Sequence, residues 1–156
     1  MLENNEIQFL CSCSNPISRS ELVEALKTLG DLLPDPLSER VNIAEYAEKL
    51  LKFADIIYAK HEDRVIGIMA VYANDMQTRI AHFPLLFVAN RYQHKGVGKE
   101  LMLQAIALVK SRDMDSVWAY VHKDNDRAIN FVYKLGFQFD SFRDPKIKIK
   151  MIFKPN

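Results

Sequence analysis

The clearest chemical signal in this chain is a pair of glycines two residues apart between lysines: Gln93-His94-Lys95-Gly96-Val97-Gly98-Lys99. An apolar run precedes it and a strongly apolar one follows, so the order reads as strand, glycine turn and helix start, and that order suggests an anion site. The first turn of a helix leaves backbone N–H groups unpaired and carries the positive end of the helix dipole, and phosphate binds there readily. Gly96 and Gly98 lack the side chains that would hold a phosphate away from those amides, while Lys95 and Lys99 add positive charge. The chain has five glycines, and two of them lie in this turn. The spacing is neither a Walker loop, which needs Gly-Lys-Ser/Thr, nor a dinucleotide fingerprint, because Leu101 stands where the third glycine belongs.

Positioning such a turn requires a strand before it and a buried helix after it. Arg79–Ala89 supplies the strand, with Pro84 inside it; a proline cannot donate to a sheet ladder, so the spacing predicts a bulge or an unpaired side there. Gly96 to about Arg112 supplies the helix, apolar over most of its circumference and therefore expected to be buried.

Upstream, Ser18-Arg-Ser-Glu21 reads as a capping box opening a helix that ends at Gly30. Pro34 and Pro36 make Asp31–Val41 a loop. Asn42 and Glu45 cap a second helix with apolar residues from Ile43 to Ala54 at helical spacing. On this reading, two helices precede any sheet. Ile56–Lys60 and Val65–Ala73 then form a hairpin around His61–Asp63, and the strand containing Pro84 completes an antiparallel meander.

Downstream come a strand (Asp115–His122), a short helix (Asn125–Leu135) ended by Gly136, a strand (Phe137–Phe142) and a strand (Lys146–Phe153). In the last, Lys146, Lys148 and Lys150 alternate with Ile147, Ile149 and Met151, which predicts a solvated basic face. The fold class is α/β, a single domain over residues 1–156 with a mixed central sheet flanked by helices.

The 156 residues suit one domain with a sizeable core. With 49% apolar and 26% charged residues the composition is that of a soluble globular protein. A net charge of +1 gives no general attraction to nucleic acid or anionic membrane. Cys11 and Cys13, the two cysteines, read as free thiols, which with the lack of a secretory signal or a membrane-length apolar run points to the cytoplasm. No metal site is implied.

Gln93-His-Lys-Gly96-Val-Gly98 resembles the Arg/Gln-x-x-Gly-x-Gly/Ala hallmark of the GCN5-related N-acetyltransferases (GNATs). Asn125, Ala128, Phe131, Lys134, Gly136 and Phe137 match a second signature of that superfamily in order and spacing. The resemblance covers Ile56 to Phe153; the helices before it agree only in order.

The resemblance implies that the pyrophosphate of acetyl coenzyme A sits on Gln93, His94, Lys95, Gly96, Val97, Gly98 and Lys99. It implies that the pantetheine arm runs along the backbone of Leu86, Phe87 and Val88, where an N–H would stabilise the developing oxyanion. Asn125 is then a contact to the cofactor arm or a plain helix cap. The expected reaction is direct transfer of acetyl to a primary amine of a small molecule, such as an amino sugar or another metabolite, with neither nucleic acid nor membrane as partner and a homodimer left open.

The tyrosine that serves the family as acid falls at Val132 here, with Tyr133 one place later, about 100° around a helix; Tyr133 is the candidate acid if the helix starts differently, and otherwise another group or water protonates the thiolate. No carboxylate lies in Ile80–Ala89, where some relatives have a glutamate; His82 is the one titrating side chain there and the candidate base, since an ordinary imidazole titrates near neutral pH. His122 is a second candidate. The rival reading is a non-catalytic module that binds or senses an acyl coenzyme A.

Overall fold

The computed structural model describes residues 6–31 and 36–154. The elements run β1 (Gln8–Cys11), α1 (Arg19–Gly30), α2 (Leu37–Arg40), α3 (Ile43–Phe53), β2 (Asp55–His61), β3 (Arg64–Tyr72), β4 (Ile80–Val88), a 3-10 turn (Asn90–Tyr92), α4 (Val97–Ser111), β5 (Ser116–His122), α5 (Asp126–Lys134), β6 (Gln138–Arg143) and β7 (Lys146–Ile152). The strands form one mixed sheet in the order β1-β2-β3-β4-β5-β7-β6. Two compact units make up the chain, Met1–Val71 with Leu85–Ala107, and Tyr72–Pro84 with Leu108–Asn156.

In the first unit, β1, β2 and β3 pair antiparallel. The β2–β3 hairpin closes through Glu62 and Asp63 at φ 53° and 63°, the paired left-handed geometry whose twist matches the flanking strands. The capping box at α1 is complete: Ser18 accepts from the Glu21 N–H, and Glu21 reaches back to the Ser18 N–H. Asn42 accepts from the Glu45 N–H and starts α3.

Two expectations are corrected here. A strand, β1, precedes the helices and pairs along β2, with Gln8 opposite Lys60 and Cys11 opposite Ile57. Four residues of mixed polarity were too short to carry a period, and their partner lies more than forty positions away. The segment Asp31–Val41 is also not wholly a loop. Leu32–Asp35, with Pro34, lie outside the described residues, but Leu37–Arg40 forms α2, with Pro36 in the cap position. Proline is tolerated at a helix start because the N–H it lacks has no intrahelical partner there. Ser38 donates through both its N–H and its hydroxyl to Asp31 Oδ1, at 3.2 and 2.8 Å.

Helix α4 lies close on β3. A Cβ at Gly67 would come within 3.0 Å of both Leu101 and Val97, so the glycine sets how near the helix sits. Val97, Leu101, Met102 and Ala105 are buried, whereas Leu103 is 43% exposed; the helix is covered over an arc, not all round as its composition predicted.

In the second unit, β4 runs parallel to β5 from Ile80 opposite Ser116 to Phe83 opposite Ala119. The register recorded among the described residues stops there, at the residue before Pro84. That is the unpaired side the proline predicted, because its ring nitrogen has no hydrogen to give. Beyond it, β5 pairs antiparallel with β7, and β7 with β6. Asn125 caps α5 by accepting from the Ala128 N–H at 3.1 Å. The helix buries Val132, and Phe137 meets Phe83 edge-on at 6.4 Å between centroids.

The lysines of β7 are not simply solvated. Lys148 Nζ lies 4.7 Å from the centre of the Trp118 ring, Lys146 Nζ lies 5.9 Å from that of Tyr120, and Lys150 pairs with Asp140 at 3.1 Å. Alternation along one strand identifies the shared face, but the rings beneath the lysines belong to β5, which sequence spacing does not register against β7. Cys11 and Cys13 are free thiols. Among the described residues no helix is long and apolar enough to cross a membrane.

Candidate active site

The glycine turn is built by backbone conformation. His94 takes φ 65° and Gly96 φ 82°, angles that cost an ordinary side chain free energy and glycine little. A Cβ at Gly96 would meet nothing within 4 Å, so it would project into the open space a ligand needs. Gly98 has a different role: a Cβ there would touch Val88 at 3.6 Å, an ordinary contact, so this position is permissive.

Val97 is buried and anchors the first turn of α4, while His94, Lys95, Gly96 and Lys99 are exposed. Glu100 N–H donates to Gly96 O at 3.0 Å. The N–H groups of Val97, Gly98 and Lys99 precede Glu100, the first to donate within the helix, and are the donors the turn offers.

Gln93 braces the turn. Its Nε2 donates to Val88 O and to Asn90 Oδ1, both at 3.1 Å, which fixes the exit from β4. Lys95 Nζ sits 5.8 Å from the centre of the Tyr92 ring. The turn therefore offers what a pyrophosphate needs: amides not used inside the helix, local positive charge, and room above Gly96. Upstream on β4, Leu86 and Val88 are half-buried and Phe87 is buried. The β5 register ends before all three.

In the same unit a cavity of about 440 Å³ is lined in part by Glu21, Glu24, His61, Arg64, Arg91 and Tyr92. His61 Nδ1 and the Tyr92 hydroxyl share a hydrogen bond of 2.6 Å on its wall. None of the donor-site or catalytic candidates read from the sequence lines it.

The second unit holds the other candidates. His82 is the middle layer of an aromatic stack: Trp118 lies 3.7 Å away at 12° to its plane, and Tyr72 6.0 Å away at 20°. Lys148 covers the Trp118 ring, and Tyr120 meets Trp118 edge-on at 5.1 Å. His82 and Trp118 are register partners across β4 and β5, so the sheet holds the pair face to face. The Tyr72 hydroxyl is buried with no hydrogen-bond partner among the described residues, and burial raises its pKa. Such a group is costly to leave unsatisfied, on the order of 1–3 kcal/mol.

His122 is half exposed and lies 3.9 Å from Asp124. On α5, Val132 is 5% and Tyr133 41% exposed, so the helix turns the phenol outward and the valine into the core. Asn125 has its side-chain oxygen engaged as a cap; its amide nitrogen has no such duty.

Sequence alone found His82 but not its neighbours. Tyr72 and Trp118 lie on other strands, and only sheet register brings them together with it. The one available hint was aromatic crowding in Trp118-Ala-Tyr120 at alternate strand positions.

A profile of the acetyltransferase (GNAT) family matches residues 24–137, well over half of the chain. A spermidine N(1)-acetyltransferase from Thermoplasma acidophilum is 34% identical over 55 residues, 35% of this chain; the chain spans about a third of the length of that curated relative, 34%. Among solved structures, PaiA N-acetyltransferase from Thermoplasma acidophilum, in complex with coenzyme A, superposes with a TM-score of 0.72 at 18% identity, covering 95% of this chain and 99% of that one. The ribosomal-protein-S18-alanine N-acetyltransferase from Escherichia coli gives 0.75 at 13% identity, covering 97% and 96%. These likenesses agree with the seven-stranded mixed sheet, and the profile covers both the glycine turn and the Asn125–Phe137 segment. The chain belongs to the acetyltransferase (GNAT) family.

Proposed function

We propose that the protein transfers an acetyl group from acetyl coenzyme A to a primary amine of a small molecule, directly, in a ternary complex. The observation that carries this reading is the Gln93–Lys99 turn, with positive φ at His94 and Gly96, open space above Gly96, and the backbone amides at the head of α4 that precede its first intrahelical donor. The complex of PaiA N-acetyltransferase with coenzyme A supports the same donor.

In this proposal the backbone from Gln93 to Lys99 holds the pyrophosphate, with Gln93 as brace and Lys95 and Lys99 as charge. The pantetheine arm takes the β4 edge at Leu86, Phe87 and Val88, where pairing with β5 has ended. His82 accepts the proton from the acceptor's ammonium group, and the freed amine attacks the thioester carbonyl. A β4 N–H stabilises the oxyanion, and the bond to sulfur then breaks. As that bond breaks the nitrogen gives its remaining extra proton to water and the thiolate takes one from water, because Tyr133 is turned toward solvent and Val132 has none to give.

The test is coenzyme A release over a panel of primary amines. Turnover on at least one, lost when the turn is blocked, is the expected result. Tyr133→Phe should keep the rate within about threefold, whereas a hundredfold loss would make the phenol the acid. Val132 at the family's acid position favours one other reading, a module that binds an acyl coenzyme A without turning it over. Tight acetyl coenzyme A binding with no release on any amine would establish that reading instead.

A further inference from the structure

The sheet of the second unit brings basic residues together in a way no single strand reveals. His122 on β5 lies opposite Lys146 on β7, and Lys146 lies opposite Arg143 on β6. Directly opposed residues share a face, so three basic side chains form one row across three strands. In the next row Tyr120 faces Lys148.

Like charges set directly opposite each other destabilise a sheet, and nearby lysines avoid that cost. Lys150 is paired with Asp140 at 3.1 Å and Lys123 with Asp144 at 2.7 Å. Among the described residues Lys146, Lys148 and Arg143 form no ion pair at contact distance, although Lys148 is close enough to Asp140 to help hold its carboxyl low; Lys146 and Lys148 instead lie over the rings of Tyr120 and Trp118. The carboxylates at this end of the sheet are committed elsewhere: Asp140 to Lys150, Asp144 to Lys123, and Asp124 lies nearest His122. A row holding Lys146 and Arg143, with Lys148 in the next and an aromatic wall beside them, is complementary to a small anion.

We propose that this face of β5, β7 and β6 is an acceptor-recognition surface, and that the amine acceptor carries an anionic group, a carboxylate or a phosphate, held by Lys146, Lys148 and Arg143. The proposal rests on the acetyltransferase reading and narrows its substrate class. A polyamine would meet repulsion here. The lysines are positioned by their rings: Trp118, stacked on His82, carries Lys148 on its other side, so the cation and the candidate base are held by one indole.

The experiment titrates the coenzyme A-loaded protein calorimetrically with ethanolamine phosphate, β-alanine, ethanolamine and spermidine, and measures acetyl transfer to each. Ethanolamine phosphate or β-alanine is expected to bind at least tenfold more tightly than ethanolamine. The better of the two identifies the anionic group. Lys146→Ala with Lys148→Ala should remove that preference through KM with kcat little changed, and Lys148→Arg should restore most of it.

Preference for spermidine or ethanolamine, or an anion preference untouched by the double variant, would overturn the proposal. Coenzyme A affinity measured on the same samples separates the two levels. If the unaltered protein fails to bind coenzyme A, the acetyltransferase reading falls, while the anion preference is still read from the titration without it. Normal coenzyme A binding with no anion preference removes only the recognition surface.

Discussion

The glycine turn of the first unit and the aromatic-basic face of the second are built from different materials. The turn is made of backbone: its donors are amides, its shape is two residues at positive φ, and its side chains mostly stay out of the way. The face is made of side chains held by strand register, with rings stacked on rings and cations laid over them. A ligand common to a whole family is held well by backbone, which every sequence possesses, whereas a ligand particular to one protein needs side chains that can vary. The donor thus suits the turn and the acceptor suits the face.

The sharpest way to break this division is His82→Gln, which keeps size and polarity but removes the imidazole proposed as the base. We expect kcat to fall about a hundredfold, the lower end of what a general base supplies, with coenzyme A affinity unchanged. A rate within threefold of the unaltered enzyme would take His82 out of the chemistry. Next in size is Gly96→Val. A β-branched side chain at φ 82° is strained and enters the phosphate space, so coenzyme A affinity should drop about thirtyfold, roughly 2 kcal/mol; unchanged affinity in a folded variant would dismiss the turn as the donor site.

Gly67→Val tests the support beneath the turn. Its side chain would drive into Leu101 and Val97, and overpacking of this kind costs about 1–3 kcal/mol. A lowered Tm together with weaker coenzyme A binding is expected, since α4 carries the turn's amides. Normal stability would mean the helix can shift freely.

The smallest effect concerns acid. Lys60 Nζ lies 2.7 Å from Glu21 and holds its carboxyl below the ordinary 4.5. A depressed carboxylate stabilises the fold above its unfolded pKa and loses that contribution as pH falls through the folded value. Chemical denaturation between neutrality and pH 3 should therefore show the unaltered protein losing slightly more stability below pH 4.5 than Glu21→Gln does. Equal slopes would mean that this part-exposed pair contributes nothing, as many such pairs do.

The sequence disclosed most where physics is local. A capping box, a proline that ends a pairing, and two glycines at a helix start each leave a signature within a few residues, and Ser18, Pro84 and Gly96 behave as their chemistry requires. Strand β1 escaped because four residues carry no period and gain their structure from β2 far along the chain. The surroundings of His82 escaped for a related reason. Tyr72, Trp118 and Lys148 are neighbours only through register, and register is fixed by the whole sheet. The lysines of β7 illustrate the limit well: alternation located their face, but not the rings that occupy it.

Trp118 is the chain's one tryptophan, and it lies between the imidazole of His82 and the ammonium of Lys148. The protein therefore carries an unmodified optical probe at the centre of its candidate chemistry. A protonated imidazole in face contact quenches indole emission, so if His82 takes the acceptor's proton the intrinsic fluorescence should dim at that step, and respond when an anion settles beside Lys148. Stopped-flow emission can thus time proton transfer to His82 and acceptor arrival separately, on unlabelled protein, with no second indole to subtract.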